Sequence, residues 1–463
     1  MLQKSYMCVN NSHVLGWFWV FAAFIGNIGY FSPSFAQDDV QPLDLAQCVN
    51  QALKVSPSIQ AAQLDVQIAE TQLSQARNAR ILPKFDLTWM IGPSPEARGN
   101  PVIGDTDFSK WSVFTRTEAT LIQPLFTFGK LAAAQDVARG GIDLRDAGLM
   151  KSRGDLELQV AKAYYGLLLM NALKDLSDEA GIEIQKARKF VDQQLEDEVG
   201  EVTETDLARI DRFVFDVKEN ANKVVKGHAL ASAGMRKLLG LSREDPIDLA
   251  ENRLNPVQVT VQSLGEYLTR GKQRPELKQL EAGIAVRSAL SRVAKSDYYP
   301  QFFFGGQFKY AYAPNRDNQS SPFARDDFNF LAAGAIIGFQ QSLAFGGTSA
   351  KVKKARLEHQ KLEYQTRLAG IGVDLEIEKL YLELKEAQGN MAEAQKARRA
   401  TRRWFISARD GFNAGLGEAS DVIDAVKEYG IIRAKYLEAV FNFNMSWARL
   451  QKSTGYSIVH SGE

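Results

Sequence analysis

Two heptapeptides decide how this chain is read: QPLFTFG at residues 123–129 and QQSLAFG at residues 340–346. Each follows a run of alternating residues, closes on Phe-Gly, and opens a long stretch without proline, 130–198 in one case and 347–413 in the other. A shift of about 217 residues superposes them, and the same shift aligns other landmarks. Ser56-Pro57-Ser58-Ile59 falls on Arg274-Pro275-Glu276-Leu277, Pro83 on Pro300, and Tyr164 on Tyr381. At 215 residues, Gly200-x5-Asp206-Leu207 falls on Gly415-x5-Asp421-Val422. Ordered matches of this kind mark an internal duplication, with repeats at 37–265 and 266–463.

Both copies have one internal order. A proline-led helix comes first (57–80 and 275–297), and a second proline ends it. Two period-two segments follow, 84–92 with 111–123 and 300–312 with 328–343, joined by Gly/Pro/Asn-rich connections. In the first, Phe85, Leu87, Trp89 and Ile91 share a face opposite Lys84, Asp86 and Thr88. In the third, Phe302, Phe304, Phe308, Tyr310 and Tyr312 oppose Gln301, Gln307 and Lys309. The two proline-free stretches then predict helices about 100 Å long at 1.5 Å per residue. Return helices at 203–240 and 417–456 complete the copies. Apolar residues Val373, Ile377, Leu380, Leu384, Ala387, Met391 and Ala394 step by four and three, as do Val422, Ala425, Tyr429, Ile432, Tyr436 and Ala439. That spacing predicts coiled-coil packing along whole helices.

The first residues differ. An apolar run at 14–31 precedes Ser34-Phe35-Ala36, a small-x-small pattern that predicts a secretory signal at 1–36. An uncleaved anchor is the rival reading. Export would leave Cys48 as the one cysteine, so no internal disulfide is expected.

Composition excludes several functions. Lys plus Arg (56) balances Asp plus Glu (55), which gives no reason to expect a nucleic-acid partner. The four histidines are scattered, no Cys-based metal site is available, and no phosphate-binding G-x4-GK[ST] occurs. No catalytic residue, cofactor or metal is expected.

Four strands cannot close a barrel, and open sheet edges are not tolerated in lipid. Three chains would supply about twelve strands, a size known for outer-membrane barrels. The expected fold is therefore an α+β membrane protein with long coiled-coil rods and a β-barrel pooled from several chains, twelve-stranded if three contribute. The competing reading is an exported coiled-coil tether with a soluble β head.

The duplicated proline-bounded helix, QPLFTFG leading into a long helix, and G-x5-D-[LV] at both far turns resemble the TolC-type outer membrane efflux family over about Leu43 to Gly455. The resemblance implies a homotrimer in the outer membrane of a Gram-negative bacterium, a trimeric twelve-stranded barrel continued into a helical coiled-coil tunnel. Its helical tunnel would cross the periplasm to meet an adaptor protein and an inner-membrane transporter or secretion ATPase. By the same resemblance, Asp421 and Asp424 would form a cation-selective periplasmic constriction and Asp206 would join the gating network. Phe412 stands where tyrosine is common, and Gly417 where arginine is common, so an arginine-centred latch is not expected. The tip residues Val199, Gly200, Glu201, Ala414, Gly415 and Leu416 become candidate adaptor contacts. Read without the resemblance, Asp421 lies in the first helical turn, where a carboxylate favours the positive end of the helix.

Overall fold

The Phe-Gly turns set the geometry of the computed structural model, which describes residues 42–99, 104–196, 203–318, 326–414 and 416–459. The expected signal at 1–36 lies outside them. Strand β2 (Asp105–Phe126) ends where helix α3 (Lys130–Glu196) begins, and strand β4 (Phe330–Gln340) precedes helix α7 (Gly347–Asn413). At both junctions a glycine takes the left-handed conformation, Gly129 at φ 82° and Gly346 at φ 78°. An L side chain resists that conformation, so glycine is the residue that turns strand into helix here. Phe128 is itself at φ 46°. Its ring stacks on Tyr299 with centroids 4.9 Å apart and meets Phe126 edge-on at 4.7 Å, contacts that hold the turn.

The four strands form one antiparallel sheet in the order β1-β2-β3-β4, with β1 at Lys84–Arg98 and β3 at Gln301–Tyr312. Register assigns every side chain to a face. Phe85 pairs with Leu121, Leu87 with Ala119, Phe308 with Ala119 and Ala333, and Phe304 with Ile337. This face is mostly aromatic and aliphatic, with Thr115 and Thr117 the polar exceptions mid-strand, and stands in the open: Trp89 is 63% exposed and Ile337 75%. On the other face Thr88 pairs with Glu118, and Glu118 in turn with Lys309. The first hairpin is longer than the sequence pattern suggests. Residues 93–98 and 105–110 are strand, although Pro93 and Pro95 gave a loop signal. Proline is tolerated there because β1 is an edge strand, and the register shifts by a bulge at Pro95/Glu96.

Helices α3 and α7 have 67 residues each, about 100 Å of rod. Along each rod lie two shorter helices placed end to end. Helix α4 (Glu204–Leu239) stops at Gly240, at φ 69°, against the start of α2 (Pro57–Ile81). A Cβ on Gly240 would lie 3.1 Å from Val55, and Gln51 Nε2 donates to the Leu239 carbonyl at 3.0 Å. The second copy repeats the device. Helix α8 (Ala419–Ser453) stops at Gly455, at φ 77°, and a Cβ there would lie 3.2 Å from Arg274 Cα, just before α6 (Pro275–Ser296). Pro57 and Pro275 occupy the first turn of the next helix, where no N–H partner is needed.

Two short helices, α1 (Leu45–Val55) and α5 (Leu264–Gly271), were not foreseen. They pack Cys48, Val49 and Ala52 against α3, and Tyr267 against α7, midway along the rods. Burial pushes the Cys48 thiol up to about 12, which leaves it unreactive. At the sheet end, Asp297 ties the first turns of α3 and α7 to the end of α6 through Lys130 at 3.0 Å and Lys351. The Lys351 hydrogen bond, with Lys130 adding to it, holds this carboxyl below its usual range.

One buried side chain helps to hold the linker between the repeats. Asn444 is fully buried on α8, accepts from Val257 N at 3.0 Å, and donates to Asn255 O at 2.9 Å. Asn444→Ala would strip two part-buried backbone groups of their partner and empty a fully buried side-chain site, so it should lower stability by about 2 kcal/mol. Denaturant titration of the purified protein reads this; an unchanged midpoint contradicts it.

Candidate gate at the helical tip

The far ends of the rods carry the predicted site residues. Asp206 lies in the first turn of α4 and completes a capping box. Its Oδ2 accepts from Thr203 N at 3.1 Å and from Thr203 Oγ1 at 2.8 Å, while Oδ1 lies 3.5 Å from Arg209. Both oxygens are thus engaged locally at the helix start, where carboxylates are favoured. Asp421 is exposed in the first turn of α8. Asp424, one turn on and also exposed, lines an open cleft of about 730 Å³ whose opposite wall includes Arg209, Arg212 and Asp216 of α4.

Phe412 does not meet Asp206. Its ring packs edge-on against Phe190 of α3, with centroids 5.4 Å apart. The two rings wall an apolar cavity of about 300 Å³ between the α3/α4 hairpin and the α7/α8 hairpin, closed further by Ile210, Phe405 and Ile423. Deeper along the rods, Arg433 of α8 donates to Glu179 of α3 at 2.6 Å and lies over the Tyr429 ring at 5.4 Å. Tyr429 in turn stacks on Phe405. One ion pair and one aromatic pair therefore pin the two hairpins of a protomer together near the tip.

Gly417 lies close against the end of α7. A Cβ there would stand 3.2 Å from Phe412 N, so the turn folds tightly onto the end of α7. Leu416 N donates to Gly411 O at 2.9 Å, and Ala414 N to Asp410 O at 3.1 Å. The Leu416 side chain is 88% exposed. Val199, Gly200, Glu201 and Gly415 lie outside the described residues. Glu179, Arg433 and Phe190 escaped the sequence reading, because partners 254 residues apart leave no local signal.

Among the described residues no cluster suited to a metal ion occurs, and no helix is long and apolar enough to cross a membrane. The profile of the family described as "Outer membrane efflux protein" matches residues 48–241 and again 271–456, once in each repeat. The chain belongs to the outer membrane efflux protein family. Over 420 residues it is 23% identical to Protein CyaE of Bordetella pertussis, covering 86% of this chain and 81% of that protein. It is similar in structure to the outer-membrane channel OprN, with a TM-score of 0.72 at 17% identity over 89% of this chain and 90% of OprN. The open-state MtrE outer membrane channel of Neisseria gonorrhoeae gives a TM-score of 0.70 at 16% identity, with 89% of each chain covered. These likenesses carry the fold. This efflux protein contributes four strands to a trimeric twelve-stranded barrel in the outer membrane, and its rods build the helical tunnel below. The family is one of channels, not enzymes.

The hairpin pins give a prediction. Glu179→Gln combined with Phe190→Ala removes the ion pair and the ring contact, and should raise the open probability of the efflux channel in planar bilayers by about tenfold, the scale of losing ~1.4 kcal/mol of tip contact. Unchanged gating would mean that the contacts between neighbouring chains alone hold the tip.

Proposed function

We propose that this outer membrane efflux protein is the passive exit duct of a tripartite export system, with its narrowest and most charged point at Asp421 and Asp424. The observation that carries the reading is the pair of aspartates at the start of α8, exposed and without a side-chain hydrogen-bond or ion-pair partner among the described residues, in a family of outer-membrane channels. Three copies give about six carboxylates around one axis. Two like charges ~8 Å apart repel by ~0.5 kcal/mol in bulk water and by ~2 kcal/mol at an effective dielectric near 20. Such a ring draws cations in, turns anions away, and lets a divalent cation bind across it.

Energy comes from partners, since the chain carries no nucleotide-binding motif. A periplasmic adaptor would grip the tip turns at Val199, Gly200, Glu201, Ala414, Gly415 and Leu416, with exposed Leu416 as an apolar knob. An inner-membrane transporter or secretion ATPase would then push cargo through, in efflux or in type I secretion. Asp206 and Phe412 act in gating by fixing the start of α4 and the α3–α7 contact. The tether reading has no counterpart in the family, and it would leave the apolar face of the sheet in water.

Replacing Asp421 and Asp424 by alanine should lower the cation-over-anion permeability ratio by about threefold or more, and should weaken block by divalent cations. Reversal potentials across planar bilayers under a salt gradient measure the ratio. A ratio equal to that of the parent returns both residues to a helix-end role.

A further inference from the structure

Opposite the helices, the chain between β3 and β4 does not simply turn back. Residues 313–318 and 326–329 fold over the polar face of the sheet and reach β1, two strands away. Ala97 N donates to Asn315 O at 3.3 Å and Asp317 N to Ala97 O at 3.2 Å, so this arm adds a short parallel bridge beside β1 just past the bulge. Side chains fasten it. Ser94 Oγ bonds Asn315 Oδ1 at 3.2 Å, Arg316 donates to the Pro95 carbonyl at 3.0 Å, and Asp317 accepts from Gly99 N at 3.0 Å. Beneath the arm, Arg316 and Asp326 form an ion pair at 2.7 Å with side chains 13% and 5% exposed. The guanidinium lies 4.8 Å over the Phe328 ring, and Phe328 meets Phe114 edge-on at 5.0 Å. Phe114 lies across Gly92, where any Cβ would come within 2.8 Å of its ring.

Phe114 and Ser94 share the face of Thr88 and Glu118 by register, which is the face turned away from the aromatic, lipid-facing side. In a closed barrel that face lines the bore. We infer that the arm clasped by Arg316, Asp326, Phe328 and Phe114 narrows the outer mouth of the bore, so that size selection is exerted at this end as well as at the tip. The inference rests on the barrel reading above. It has a structural corollary: the backbone edge of β1 at Ala97 is already occupied by the arm, so pairing with a neighbouring chain's β4 stops at the bulge. The 11 residues of β4 are no longer than the stretch of β1 below it. A parallel bridge, two side-chain bonds to backbone, a nearly buried ion pair and an aromatic pair all act on one short arm. A freely swinging surface loop would have no need of them.

The test places a cysteine in the bore, Gln307→Cys, at the level of Thr120 and about 20 Å helix-ward of Phe114. Cys48 is buried and gives no background. Intact cells are treated from outside with a small impermeant maleimide or with the same maleimide on a bulky polymer. Two clasp variants are compared with the parent: Arg316→Ala/Asp326→Asn, which leaves no lone buried charge, and Phe328→Ala, which keeps every ion pair and guards against misfolding of the first. The expected result is equal labelling of all three by the small reagent, with polymer labelling rising about tenfold or more in both variants, as loss of a largely buried contact set implies. Polymer labelling that is the same in parent and variants, whether fast or absent, overturns the clasp and leaves the channel reading standing. Failure of the small reagent to label any of them would mean that this face lines no water-filled bore, which overturns the barrel reading and the clasp together.

Discussion

Backbone N–H and C=O groups at the two rims of the four-stranded sheet set the terms for everything else. In water such rims are merely adhesive, but in hydrocarbon each unpaired group costs several kcal/mol. The outward face of Trp89, Leu121, Phe304 and Ile337 fits hydrocarbon and nothing else, so the sheet belongs where its rims cannot stay open. Pairing the β1 rim of one chain with the β4 rim of the next relieves both, and ring closure relieves them all. Ring closure with further copies of the chain is then a requirement of solvation. The common bore and the tunnel beneath it follow from that closure.

The rods obey a second constraint, that of matched length. A 67-residue helix can be covered along its whole side only by partners that together reach as far. The chain supplies them as two stacked helices per rod, with a left-handed glycine ending one against the proline start of the other. Gly240 and Gly455 serve close approach as well as turning, because a methyl group at either site would crowd Val55 at the end of α1 or Arg274 just before α6. Duplication then delivers the same solution twice, which is why one set of joints suffices for both rods.

Much of this could be read from the residues. The strand alternation beginning at Phe85 and Phe302, the heptad seam through Ile377 and Leu384, and the Phe-Gly turns each encode a local rule with a fixed period. Ile377 and Leu384 are indeed fully buried. The upper part of the first hairpin was hidden because Pro93 and Pro95 signal a loop unless the strand is known to be an edge. Helices α1 and α5 span 11 and 8 residues, too short for periodicity to distinguish. At the tip, the sequence marks Asp421 and Asp424 as a pair one turn apart. The Glu179–Arg433 and Phe190–Phe412 contacts depend on how two hairpins lean together, which no local pattern records. The Arg316–Asp326 clasp was equally silent, because its meaning lies in the strand the arm crosses to reach β1.

Rim-to-rim closure can be measured directly. One cysteine on the outer rim of β1 below the bulge and one on the rim of β4 cannot meet within a chain, since two strands, about 14 Å in all, separate those rims. A set of such pairs is oxidised in intact outer membranes and the products are separated under denaturing conditions. Closure predicts covalent dimers and trimers for pairs in register, with nothing larger than a trimer. Monomers throughout, or a ladder running past three, would contradict it.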